Sequence, residues 1–289
     1  MKLEVAANTG DSLGEGVIWN HRENALYWVD AFAPAIRRLD PESGRVHSWD
    51  MPEVVGSLVF DHHDTAVAGL ESGYHRLSLD PFDVQPIVNP QPEEGIIFND
   101  GKCDRRGRYF IGTMHREFRE GAGVLWRLDP DLSCHRIDEG IHVSNGLAWS
   151  PDDSRMYFAD TRRDLVYVYD YDIVSGAATN RRVFISTHDR VGRVDGATVD
   201  AAGNYWAALI HEGAVVCFDR EGRELRRVEL PVRHPTMCTF GGANLDELYI
   251  VTSRRFLKPG ELEEQPLAGS LFVVKGLDAQ GLPEPLFAG

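Results

Sequence analysis

The chain has 289 residues, 43% of them hydrophobic and 10% aromatic, which is enough for a sizeable core. Thirty Lys and Arg face 45 Asp and Glu, a formal net charge of −15. That excess disfavours nucleic acid or an anionic membrane surface as a partner, and no apolar run is long enough to span a bilayer as a helix.

In chain order, residues 2–7 read as a lone strand. A unit then recurs: an apolar-alternating run opened by a polar residue and a glycine, a short polar turn, and a second alternating run. The copies cover 15–30, 55–70, 100–113, 144–160, 195–208 and, more weakly, 235–252. The fourth, opening Val143-Ser144-Asn145-Gly146-Leu147-Ala148-Trp149 before the turn Ser150-Pro151-Asp152-Asp153, is the clearest. A third strand follows each copy, at 35–40, 74–80, 123–129, 165–170, 214–219 and 270–274. Fourth strands are visible at 45–49, 134–137, 181–185 and 225–230, and the last unit has none nearby. A period of roughly 40–50 residues built from short strands is the signature of a propeller array. The expectation is an all-β fold, a six-bladed β-propeller with four-stranded antiparallel blades, forming a single domain over residues 1–289. The 2–7 strand would complete the last blade and close the ring, removing two sheet edges.

Cys103, Cys134, Cys217 and Cys238 show no CxxC spacing, and three of them sit in strand-like runs as reduced, buried residues. Met1-Lys2-Leu3-Glu4 leads into no apolar signal core, so a cytoplasmic setting is expected. Either a monomer or a weak homo-oligomer fits.

The first strand of each propeller blade lines the central axis, so equivalent positions form a ring. The position before the repeat glycine holds Glu15, Val55, Asp100 (with Asn99 beside it), Asn145 and Asp195, and falls near Pro235 in the sixth copy. Acids and amides are depleted in strands. Inward-facing, they would repel one another and lose hydration, and a divalent cation removes both costs. Oxygen donors suit Ca²⁺ first, with Mg²⁺, Mn²⁺, Zn²⁺ or Fe²⁺ as alternatives. Taken singly, each Asp-Gly or Asn-Gly pair is also an ordinary turn signal; their common register favours the metal site. No Gly-x-Ser-x-Gly elbow is present, and His142 and His234, though near the ring, read as structural.

Several segments together resemble one family. Leu13-Gly14-Glu15-Gly16-Val17-Ile18-Trp19, Phe98-Asn99-Asp100-Gly101-Lys102, Ser144-Asn145-Gly146-Leu147-Ala148-Trp149-Ser150, Val194-Asp195-Gly196 and Cys238-Thr239-Phe240-Gly241-Gly242 resemble the SMP-30/gluconolactonase/regucalcin family of six-bladed propellers nearly end to end. The resemblance implies metal-dependent hydrolysis of a sugar lactone to the sugar acid. It implies that Glu15, Asn145 and Asp195 hold the metal, that Asp195 is the general base, and that Asn99 touches both metal-bound water and the substrate; in the mechanism that follows, Asn99 would orient the substrate and complete an oxyanion contact. Many members have an arginine two residues before the Asn of Asn-Asp-Gly; here Ile97 stands there, so substrate contact from that blade is altered. Cationic replacements would come from the loop holding His115, Arg116 and Arg119, or from Arg190 or Arg193. Residues 256–266 form an insertion that reads mostly as a solvated acidic helix over 259–264, with a lid as the alternative. Two other functions fit the same oxygen ring: a calcium-binding regulatory protein without turnover, and a promiscuous ester or phosphotriester hydrolase.

Overall fold

The alternating runs do become strands. In a computed structural model that describes residues 1–63 and 65–289, they build six four-stranded sheets arranged as a six-bladed β-propeller. Neighbouring strands within each sheet run antiparallel. The innermost strands are Gly14–Asn20, Val55–Phe60, Ile96–Cys103, Ser144–Trp149, Arg193–Val199 and Pro235–Gly241. In the sixth blade, the outermost strand is Lys2–Ala7, paired with Leu271–Lys275 through Leu3↔Val274 and Val5↔Phe272. The chain's first strand therefore closes the ring, as expected. The fourth strand of the second blade, Phe82–Val88, has no counterpart in the sequence reading. It is mostly exposed and carries Pro86, so it lacks the alternation that marks a half-buried strand.

The core lies between blades. One cluster joins Tyr157, Val166 and Ile185 of blade four to Tyr205, Leu209 and Phe218 of blade five. Another joins Trp19 and Trp28 of blade one to Tyr249, Leu271 and Val273 of blade six. Each fully buried aliphatic or aromatic side chain contributes about 1.5–3 kcal/mol. A lone blade would leave both faces wet, so the sheets are stable only as neighbours.

The repeat glycines lie inside the inner strands, where the pairing register slips. The slip falls between Glu15 and Ile18, Phe98 and Gly101, Asn145 and Ala148, and Val194 and Ala197. These dipeptides are thus β-bulges rather than hairpin turns. A bulge re-aims the side chain beside it, here towards the axis. Gly146 adopts φ +61°, and a Cβ there would meet the Tyr205 hydroxyl at 2.5 Å, so the site excludes any side chain.

The C-terminal segment crosses the far end of the channel. Gly281 N–H donates to Leu245, Phe287 N–H to Phe60 and Ala288 N–H to Gly107. Phe287 is fully buried between blades two and three. The Glu284 carboxylate pairs with Lys102 at 3.2 Å near the channel's lower end. No helix among the described residues is long and apolar enough to cross a membrane.

Candidate active site

An inner strand begins, and the second strand of the same blade ends, at one edge of the ring. A cavity of about 630 Å³ opens there, within the size range of small-ligand sites. It is lined by Glu15, Asn99, Asn145 and Asp195 from four inner strands. Loops after the second strands add Phe32, Arg116, Phe118, Thr161, Arg162, His211, Arg255 and Phe256.

Buried aspartates position the inner strands. Asp30 accepts the N–H groups of Ser12 and Leu13, just ahead of Glu15. Asp160 does the same for His142 and Val143, ahead of Asn145. Glu15 and Asp195 are each 6% exposed, and neither has a cationic partner among the described residues. Burial, then the neighbouring Asp195 and Asp100, hold the Glu15 carboxyl well above the usual carboxylate range. Burial, then Asp100, does the same to Asp195. Asp100 itself is turned from the cavity, where its Oδ2 accepts Leu147 N–H at 3.1 Å. Among the described residues, no three Asp, Glu, His or Cys side chains group closely enough to hold a metal. A cation bound between Glu15 and Asp195 would need further oxygen donors, and the amides of Asn99 and Asn145 line the same cavity.

The amides are oriented for that. The Thr161 hydroxyl donates to the Val194 carbonyl at 2.7 Å, so it can only accept from Asn145 Nδ2, at 2.8 Å. Asn145 Oδ1 then faces away from Thr161 and accepts from Asn99 Nδ2 at 2.9 Å. Asn99 Nδ2 also donates to the Ser144 carbonyl at 2.8 Å. Both Asn99 amide protons are thereby used, and what this residue has left to offer the cavity is Oδ1, an acceptor. The oxyanion contact expected of Asn99 needs a donor, so this side chain as placed does not supply it.

The other predicted contacts divide. Arg116 lines the cavity and pairs with Glu71 at 2.5 Å. Ile97 is not among the lining residues; it is buried behind them, packed with Met114 and Val143. His115 lines a separate outer cleft with Glu93 and Glu94. Arg193 lines the cavity and is held by Asp164 at 2.8 Å, whereas Arg190 is held by Glu212 and Glu224. In the insertion, Phe256 reaches the cavity, while the helix is only Glu261–Glu264 and has no buried residue. Thr161, Arg162, His211 and Arg255 were missed as site residues. Their signal was positional, since every loop after a second strand opens at the same end as the ring.

The model of the SMP-30/gluconolactonase/LRE-like region matches residues 13–254. The chain belongs to that family. Its relatives include the 6-deoxy-6-sulfogluconolactonase of Pseudomonas putida, 36% identical over 96% of this chain and 95% of the relative. Regucalcin of Gallus gallus is 32% identical over 100% of this chain and 99% of the relative. Among solved structures, a calcium-binding protein, regucalcin, from Agrobacterium tumefaciens superposes with a TM-score of 0.94 at 26% identity, covering 98% of this chain and 96% of that one. The SMP-30/gluconolactonase match covers all four inner strands that supply the cavity's acids and amides.

Proposed function

We propose that the chain is a lactonase that hydrolyses a sugar lactone to its sugar acid with one divalent cation, Ca²⁺ by preference, held by Glu15, Asn145 and Asp195. The observation that carries this reading is a pair of buried carboxylates without a cationic partner, beside an amide oxygen set by the Thr161 relay. Two like charges in a desolvated site need either protons or a metal, and an all-oxygen set of two carboxylates and an amide fits a hard cation. The family's members named for gluconolactone and its 6-sulfo derivative support the reaction class.

When bound, the cation would polarise the lactone carbonyl and stabilise charge on its oxygen. Asp195 takes a proton from the attacking water onto a carboxylate oxygen. Asn99 accepts a hydrogen bond through Oδ1 from that water or from a sugar hydroxyl, which orients the attack. The C–O bond of the ring then breaks, and the proton returns to the departing ring oxygen. Phe32, Phe118 and Phe256 cover the cavity walls and limit bulk water.

The test is proton release from a panel of aldonolactones, with and without chelator. The reading expects turnover that chelation abolishes, that added Ca²⁺ restores, and that Asp195→Asn removes. Turnover indifferent to both treatments would refute it. Cation binding with no turnover of any lactone or ester would instead favour a calcium-binding regulatory protein.

A further inference from the structure

Among the residues lining the cavity, arginines outnumber acids, the reverse of the chain as a whole. Two acids, Glu15 and Asp195, and four arginines, Arg116, Arg162, Arg193 and Arg255, line it. Over the whole sequence acids outnumber bases by 45 to 30. Arg116 and Arg193 are neutralised by Glu71 and Asp164. Arg162 and Arg255 have no carboxylate partner among the described residues.

Each of these two instead lies over an aromatic ring that also lines the cavity. Arg162 Cζ is 4.0 Å from the centroid of Phe118, and Arg255 Cζ is 3.8 Å from that of Phe32. Stacking occupies the guanidinium face and leaves its edge N–H donors free, while restricting the side chain. Phe118 sits at φ +58°, a backbone region that bulky residues rarely enter. Its carbonyl is 2.8 Å from His142 Nε2, so the strained loop is tied down where it presents the ring. The first pair bridges blades three and four, and the second bridges blades six and one. In a ring of six blades those seams face each other across the mouth.

Resting on the lactonase reading, we infer that Arg162 and Arg255 form an anion-recognising rim, and that the substrate is a sugar lactone carrying a negatively charged group away from its carbonyl. A neutral polyol would leave two stacked, unpaired guanidinium groups without a counter-charge. A sulfonate, phosphate or carboxylate would supply one through charge-assisted hydrogen bonds. The cation proposed at the floor would offset Glu15 and Asp195, so the mouth keeps its positive field.

The experiment compares kcat/KM for a neutral hexonolactone with that for the same lactone bearing a terminal sulfonate, phosphate or carboxylate. It uses the Ca²⁺-loaded protein. The inference expects a preference of roughly 10- to 100-fold for at least one anionic lactone, carried mainly in KM and weakened by salt. Arg162→Met and Arg255→Met should each reduce that ratio about tenfold, and the double variant more. Arg→Lys should restore part of it. Arg163→Met, whose side chain pairs with Glu120 and Asp160 outside the cavity, should leave the ratio unchanged. No preference in the wild type, or a ratio unmoved by the double variant, overturns the inference. Calorimetry with a hexitol bearing a terminal phosphate or sulfonate, against the uncharged hexitol, separates the two readings. These compounds contain no lactone carbonyl, so rim-dependent binding with no lactone turnover would sink the lactonase reading and keep the rim. Turnover of both lactones alike would do the reverse.

Discussion

Thr161→Val gives the sharpest check on how the metal-binding amide is held. Valine keeps the shape and removes the hydroxyl that donates to Val194 and accepts from Asn145. Each of those hydrogen bonds contributes about 0.5–1.5 kcal/mol net. Asn145 is 3% exposed, and stranding its Nδ2 in so dry a place costs about 1–3 kcal/mol. The expected loss of stability is therefore about 1–3 kcal/mol, measured by urea denaturation of the cation-free protein. Without the relay the Asn145 amide is oriented only by the hydrogen bond its Oδ1 accepts from Asn99. If a rotation defect worth about 1.4 kcal/mol appears in cation binding, affinity falls roughly tenfold, read by Ca²⁺ titration calorimetry. Thr161→Ser should recover most of both. A folded Thr161→Val protein with wild-type cation affinity would refute the idea that this hydroxyl orients the amide.

The remaining predictions touch other parts of the molecule. Burial lowers His234 to about 4 from an ordinary value of 6.5. Between those values the unfolded chain binds more protons, so stability rises with pH across that window and falls on acidification by about 1–3 kcal/mol. Denaturation midpoints at pH 4.5 and 7, with His234→Gln showing a shallower slope, check this; equal slopes would contradict it. Phe287→Ala should cost about 3–5 kcal/mol because that ring is wholly enclosed, and a loss below about 1 kcal/mol would mean the C-terminal segment is not a structural part. Proton competition at Glu15 and Asp195, both raised above the carboxylate range, should weaken cation binding as pH falls. Affinity that is flat from pH 7 to 5 would argue against those ligands.

Much of the propeller was legible because its cause is local. Alternation, turn chemistry and a repeated polar-Gly step specify three strands of each blade, and the orphan run at 2–7 pointed to closure. Phe82–Val88 escaped because an exposed outer strand has no apolar face to betray it. Glu15, Asn145 and Asp195 could be grouped at one end because the repeat puts them in register, and the cavity does gather them. What Asn99 presents could not be foreseen. It depends on a hydrogen-bond relay in which Thr161 donates to the Val194 carbonyl and accepts from Asn145, while Asn99 donates to the Ser144 carbonyl, and these partners lie in different stretches of the chain. Ile97 and His115 flank that strand pair in sequence, yet side chains alternate across a sheet and loops bend outward, so neighbours in the chain part company in space.

The seam between Lys2–Ala7 and Leu271–Lys275 also governs how the molecule is made. A ribosome releases the first strand almost a whole chain length before its hydrogen-bonding partner exists. Until then blade six lacks its rim and the circle stays ajar, so the final zipper is a long-range, late event. Once shut, the seam holds the sixth blade together with strands from distant parts of the chain. Because the initial strand occupies the outermost lane of its sheet, an extension fused ahead of Met1 would hang from the periphery, clear of the axis.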